Sequence, residues 1–163
     1  AELSSSRKDR AENVMIVGLV RHALSRVGAA GSVRVPVLCG LESSASVHHL
    51  TSVVTGVLKP DKTVGDLIAA VFPGGSITGA PKIRAMEVIA EIEGQGRGIY
   101  CGSIGYFGFN GQVDLSIAIR TAMFSQGTAR FQGGGGITAR SEPAAEYEES
   151  LTKISRIMEA FAT

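Results

Sequence analysis

Tryptophan is absent from this chain, and three tyrosines and six phenylalanines complete its aromatic set. So sparse a set offers no stacking platform for single-stranded nucleic acid. Charge of either sign is also scarce in excess: 16 Lys and Arg face 15 Asp and Glu. That balance removes the electrostatic case for a nucleic acid or an anionic membrane as partner. Only two cysteines occur, Cys39 and Cys101, too few for a disulfide framework or a metal-ligand set. Both stand among apolar residues and read as buried, reduced thiols. No secretory leader and no apolar run of bilayer length is read, so a cytoplasmic location is the expectation.

What is present is 163 residues, 44% of them apolar, with 21 glycines. That composition suits one globular domain with a real core and many tight turns. The chain starts at Ala1 and enters charged helical sequence almost at once, which reads as an excised piece. Ala11, Val14, Met15, Leu19, Ala23 and Val27 recur at helical spacing, predicting a helix over Ser6 to Val27. Val33, Val35 and Val37 alternate with polar residues and Pro36, predicting a short edge strand. The β-branched run Val47 to Leu58 predicts a second strand. Helices are expected over Val64 to Phe72, Pro81 to Ile92 and Pro143 to Phe161. Ile99 to Phe109 and Gln112 to Phe124 flank Asn110-Gly111, a two-residue hairpin signal in which both positions take positive φ. Gln126-Gly127 marks a further turn before a strand over Ala129 to Gln132. Consecutive hairpins predict antiparallel sheet, hence α+β rather than doubly wound α/β.

The stretch Phe72 to Glu93 joins a glycine-rich turn, Gly74-Gly75-Ser76-Ile77-Thr78-Gly79, to a helix opened by Pro81. Pro suits the first helical position, where its missing N–H has no intrahelical partner. Free backbone N–H groups and the positive end of a helix dipole then face one spot, the usual make-up of an anion site. The alternative is a capped helix after a flexible loop. Ala80 and Pro81 follow Gly79 where an NTPase phosphate loop has Lys and Ser or Thr. A carboxylate therefore suits the site better than a nucleotide.

Two carboxylate pairs, Asp9 with Glu12 and Glu146 with Glu149, sit three apart on expected helices. Each pair shares a helix face. Hard oxygen ligands of this kind suit Mg²⁺, though solvated faces with local pairs to residues such as Lys153 explain each pair taken singly. Gln132-Gly133-Gly134-Gly135-Gly136-Ile137 lies between a strand and a helix. Its entropic cost makes sense where a ligand approaches the backbone closely. Arg120 ends the strand-like run Ser116-Ile117-Ala118-Ile119, where a guanidinium can hold a carboxylate through two parallel bonds. His48 and His49 point to opposite faces of their strand.

Taken together and in this order, these features resemble the C-terminal portion of the chorismate-utilising enzymes. The likeness runs from Lys8-Asp9-Arg10-Ala11-Glu12-Asn13 to Lys153, and residues 1–163 read as the C-terminal portion of one chorismate-binding catalytic domain. Its motifs are Pro73 to Lys82, Cys101-Gly102-Ser103-Ile104-Gly105-Tyr106, Ile117-Ala118-Ile119-Arg120-Thr121, and Ser141-Glu142-Pro143 through Glu149. The resemblance implies an α+β fold of packed antiparallel sheets with helices outside, here incomplete at the N-terminus. It implies Mg²⁺ held by Glu12 and Glu149, supported by Asp9 and Glu146. Tyr100 and Arg120 match the pair that holds the enolpyruvyl carboxylate. Gly134, Gly135 and Gly136 match backbone donors around a substrate carboxylate. His49 matches the histidine near the leaving C4 hydroxyl, Ser76 a hydroxyl beside the ring, and Lys153 a basic residue next to the metal. Lys82 is read as a support for helix and loop.

Within the family, Phe72 to Lys82 and Cys101 to Tyr106 look like the aminodeoxychorismate synthase branch. That implies amination of chorismate for para-aminobenzoate and folate synthesis, with ammonia from a glutamine amidotransferase subunit or domain. Its nucleophilic lysine belongs to a motif upstream of Ala1. Anthranilate synthase component I is the enzymatic alternative, and a non-catalytic ligand-binding or partner-binding piece the other. Two stretches depart from the family pattern. Gly18-Leu19-Val20-Arg21-His22-Ala23 stands where Asp, two apolar residues, Arg, Asn and Asp are usual. Thr138-Ala139-Arg140-Ser141 replaces Val-Ala-Asp-Ser, reversing a charge near the glycine loop. The missing N-terminal strands are expected to leave apolar surface that favours association.

Overall fold

A computed structural model of the chain describes residues 7–43 and 48–161. The expected starts at Ser6 and Val47 lie outside the described residues. The chain divides into two compact units, Ala1–Val88 and Ile89–Thr163.

In the first unit, helix α1 (Arg7–Val27) carries Asp9 in its first turn and Arg26 in its last, each favourable to the helix dipole. Val17, Ala23 and Val27 form its buried stripe. Its end is tied down by backbone bonds from Lys59 N to Val27 O (3.0 Å) and from Ala29 N to Val57 O (2.7 Å). Strands β1 (Arg34–Ser43) and β2 (His48–Thr55) pair antiparallel, with register shifts on either side of Val37. β1 is longer than the valine alternation predicts, because the shifts let Cys39 adopt φ 51 and pairing resume at Gly40.

A polar cluster holds α1 to this hairpin. Asn13 Nδ2 donates to Leu50 O at 2.9 Å, while its Oδ1 accepts from the Ser52 hydroxyl and from Cys39 Sγ (3.4 Å). The Ser52 hydroxyl in turn accepts from Cys39 N at 2.8 Å, supplying the partner that the shifted ladder does not.

Helix α2 (Val64–Val71) begins with a Thr63–Asp66 capping box, in which Asp66 Oδ2 accepts from Thr63 N at 2.8 Å and Asp66 N donates to the Thr63 hydroxyl. The expected anion loop is instead a single helical turn, α3 (Gly75–Thr78). Its geometry engages the N–H groups of Ile77, Thr78 and Gly79 on the carbonyls of Gly74 and Gly75. Helix α4 (Lys82–Glu93) starts one residue later than expected. Pro81 stands just before it and its carbonyl accepts the bond from Ala85 N, so Pro81 is not the first helical residue. Lys82 Nζ donates to Val71 O at 3.4 Å, bracing the loop from behind.

In the second unit, β3 (Ser103–Phe107) and β4 (Val113–Ile117) form one antiparallel pair, and β5 (Ala122–Ser125) and β6 (Thr128–Phe131) another. The expected single strand Gln112 to Phe124 is thus broken. Ala118, only 2% exposed, exchanges backbone bonds with Cys101 and Gly102 at 2.9 Å, and the chain then bends at Arg120, φ 50. The turn chemistry also differs from expectation. At Asn110-Gly111 only Gly111 has positive φ (83), within a longer turn closed by Gly108 N to Gln112 O. The two-residue turn with both φ positive is Gln126-Gly127 (49 and 73). Helix α5 (Pro143–Ala160) follows, with Pro143 in its first turn. Phe161 then stacks on Phe131 at 6.0 Å and tilts against Phe124 at 5.8 Å. Ile104, Tyr106 and Phe107 on β3 are exposed. Among the described residues, no helix is long and apolar enough to cross a membrane.

Two stability outcomes follow from α1. Asn13→Ala leaves the Leu50 carbonyl and Ser52 without their partner and is expected to destabilise by about 1–3 kcal/mol in urea titration. Gly18 has open space where a Cβ would go. Gly18→Ala is therefore expected to stabilise by about 0.5–1 kcal/mol in the same assay.

Candidate functional site

In the first unit, Asp9 and Glu12 share α1, both half-buried. The Asn13–Leu50 bond sets the helix segment bearing Glu12 beside the strand segment bearing His49. His49 lies exposed on β2, opposite Glu42 of β1. Ser76 is exposed in α3, whose Gly75 lies against Leu19 of α1: a Cβ at Gly75 would meet Leu19 at 2.9 Å.

The second unit builds a denser site around the glycine loop. A Cβ at Gly134 would stand 3.1 Å from the Tyr100 hydroxyl. A Cβ at Gly135 would lie 3.3 Å from Glu146 Oε2, 3.7 Å from Lys153 Nζ and 3.8 Å from Glu149 Oε1. None of these loop glycines needs positive φ. A side chain at Gly134 or Gly135 would crowd the Tyr100 hydroxyl or the Glu146 carboxylate. The sequence led to the expectation that a ligand approaches this backbone closely; the groups the structure places against it are Tyr100 and the acidic face of α5. At Gly133 the fit is tightest, with Ile154 Cγ2 at 2.3 Å from the Cβ position. The turn Thr138–Ser141 leads the loop into α5, with Thr138 N bonded to the Ser141 hydroxyl at 3.0 Å.

Glu146 is buried, at 6% exposure, while Glu149 is more open and ion-paired with Lys153 at 2.6 Å. A carboxylate leaves water at a large cost unless charge or a metal compensates it. Glu146 Oε2, Lys153 Nζ and Glu149 Oε1 all lie within 4 Å of the Gly135 Cβ position, and the last two are ion-paired. Among the described residues no cluster of three or more His, Cys, Asp or Glu stands ready for a metal. The Glu146 and Glu149 carboxylates beside Gly135 still fit Mg²⁺, which takes one or two protein carboxylates and fills its other positions with water or substrate oxygens.

Arg120 is not on a strand as expected. It lies past the end of β4, exposed, with left-handed backbone. Such geometry in a non-glycine residue is sustained only where the surroundings impose it. Here the Ile119 N to Ile117 O bond on one side and the Thr121 hydroxyl to Ile119 O bond on the other do so, each at 2.9 Å. The bonds at Ala118 bring this bend next to the turn that carries Tyr100.

Sequence reasoning missed the groups behind Tyr100. Arg97 forks onto Glu93, reaches Cys101 Sγ at 3.6 Å and places its guanidinium carbon 5.7 Å from the Tyr100 ring centre. The i,i+4 spacing of Glu93 and Arg97 was the available signal. Cys101 is partly buried beside this cation, not in the apolar setting its neighbours suggested. Burial pushes the Tyr100 phenol upward, Cys101 adds to the effect, and the Arg97 charge works against it. The hydrogen bonds from Arg97 hold the Glu93 carboxyl below its usual range. Arg97, Tyr100, Thr121, Met123, Arg130 and Gln132 border a cavity of about 580 Å³.

With this geometry in view, the relationships of the chain are decisive for its class. The chorismate binding enzyme family matches it over residues 1–159, and the chain belongs to that family. It is 54% identical over 157 residues to aminodeoxychorismate synthase component 1 of Klebsiella aerogenes, covering 96% of this chain and 35% of that protein. It is 47% identical over 161 residues to anthranilate synthase component 1 of Mycolicibacterium smegmatis, covering 99% and 31%. Anthranilate synthase component I from Streptococcus pneumoniae TIGR4 superposes with a TM-score of 0.87 at 42% identity, over 94% of this chain and 35% of that one. The α+β, antiparallel class expected from the sequence is the fold observed. The chain spans about a third of the length of the curated relatives it matches.

Two measurements check the site's packing. Gly133→Ala is expected to destabilise by about 1–3 kcal/mol. In an Ile154→Ala background the same change should cost much less, since the clashing methyl is gone. Glu93 has a lowered carboxyl pKa, so its contribution is present above the ordinary glutamate range and lost as pH falls through its lowered value. Thermal midpoints of wild type and Glu93→Gln should therefore differ at neutral pH and converge on acidification.

Proposed function

We propose that the protein containing this chain aminates chorismate to 4-amino-4-deoxychorismate, in the cytoplasmic route to para-aminobenzoate and folate. Ammonia would come from a glutamine amidotransferase partner; the "component 1" in the relatives' names implies a second component. The observation that carries the reading is the glycine loop. One short backbone stretch faces a phenol hydroxyl at Gly134 and the charged side chains of Glu146, Glu149 and Lys153 at Gly135. A dicarboxylate ligand needs those two kinds of recognition at its two ends.

Tyr100 and Arg120 would hold the enolpyruvyl carboxylate, the phenol as donor and the guanidinium as charge partner. Backbone N–H groups of Gly134, Gly135 and Gly136 would donate to a substrate carboxylate. Glu149 would hold Mg²⁺, with Glu146 supporting it and Lys153 balancing the charge; the family resemblance gives Glu12, supported by Asp9, the same role. When bound, Mg²⁺ would neutralise the ring carboxylate and act as a Lewis acid on the conjugated system. His49 would give a proton to the C4 hydroxyl as it leaves, and Ser76 would stand beside the ring. Clamping both carboxylates fixes the ring for attack, which is the positioning part of catalysis.

Turnover of chorismate by the intact protein with Mg²⁺ and ammonia tests the reading. Aminodeoxychorismate is the expected product, and Glu149→Gln should lower kcat/KM by roughly a hundredfold or more. Anthranilate with pyruvate as products would instead establish the anthranilate synthase reaction. Absence of Mg²⁺-dependent chorismate binding would leave a non-catalytic binding role.

A further inference from the structure

We propose that Arg97, held by Glu93, is the residue that positions Tyr100 for ligand binding. The inference rests on the reading above in which Tyr100 contacts a substrate carboxylate. Arg97 follows the last residue of α4 by four positions, and Gly94 and Gly98, at φ 61 and 62, turn the chain so that its side chain folds back. Nε donates to Glu93 Oε2 at 2.9 Å and to Oε1 at 3.2 Å, and Nη2 donates to Oε1 at 2.6 Å. Nη1 reaches Cys101 Sγ at 3.6 Å. With its edges engaged in this way, the guanidinium turns toward Tyr100, 5.7 Å from the ring centre and within cation–π range.

Two consequences bear on the ligand. The planar fork fixes where the cation sits, and the ring resting against it is fixed with the hydroxyl against Gly134. A cation beside a phenol also favours electron density moving off the O–H, making the hydroxyl a stronger donor. The direction of the Arg97 effect on Tyr100, downward against burial, agrees. Arg97 thus acts through Tyr100, and its committed edges distinguish it from a residue that grips the ligand itself.

The test is a cycle in the intact protein, with chorismate as the probe. Arg97→Met and Glu93→Gln are each expected to raise KM for chorismate about tenfold while changing kcat much less. Glu93→Gln preserves size and shape, so the result does not depend on Arg97→Met folding. Arg97→Lys keeps the charge but loses fork and plane, and should fail to restore KM. In a Tyr100→Phe background, Arg97→Met should add less than about a twofold change. By NMR of ring-labelled tyrosine, the Tyr100 phenol should titrate higher in Arg97→Met than in wild type. A full tenfold effect of Arg97→Met without the Tyr100 hydroxyl, or a wild-type KM in Arg97→Lys, overturns the proposal alone. An unchanged KM in Tyr100→Phe overturns the ligand-contact reading beneath it, and the proposal with it.

Discussion

The second unit hangs on one backbone junction. Ala118 donates to Gly102 and accepts from Cys101, and it is buried, at 2% exposure. Buried peptide groups must be paired, and this exchange extends the β3–β4 pairing one step further, into the turn before β3 and the bend after β4. The turn carries Tyr100 and the bend carries Arg120. Both residues therefore inherit their place from an alanine with no chemistry of its own. Left-handed backbone at Cys101 and Arg120, one on each side of the junction, is what the junction sustains.

Against that junction the glycine loop acts as a spacer. At Gly133 a Cβ would overlap Ile154, and at Gly134 and Gly135 it would crowd the Tyr100 hydroxyl and the Glu146 carboxylate. The loop thereby brings peptide N–H groups up to a phenol and to a helix face rich in charge. The same thinness lets helix α5 and Tyr100 come close to the loop backbone.

The first unit solves a different problem. Its hairpin is irregular, and the irregularity leaves ladder groups of β1 and β2 needing partners. Ser52 supplies the partner for Cys39 N, and Asn13 bonds both Ser52 and the Leu50 carbonyl. A helix that would otherwise pack on the sheet only through a narrow apolar stripe gains a defined register. Glu12, one residue before Asn13, is carried into a fixed place next to the strand that bears His49.

Periodicity, turn residues and motif order made most of this legible in the chain itself. The apolar spacing of α1, the run from Val64 to Val71 and the proline before α5 report local propensity, and the elements formed where those patterns lie. The family was legible because Pro73 to Lys82 and Cys101 to Tyr106 are long and specific motifs. Four features lay beyond local pattern. The strand through Gln112 to Phe124 breaks because Ala118 pairs with residues sixteen and seventeen positions earlier. Pro81 stays outside its helix because the preceding loop closes its own helical turn. The two-residue turn with left-handed backbone is at Gln126-Gly127, where the strands meet in that register, and not at Asn110-Gly111. Arg97 reaches Tyr100 because Glu93 holds it there. Sequence spacing could read the helices, the family and the residues that carry charge, since each depends on neighbours along the chain. Which of those residues meet, and which groups crowd the loop glycines, is set by contacts between distant segments, and only the folded chain supplies them.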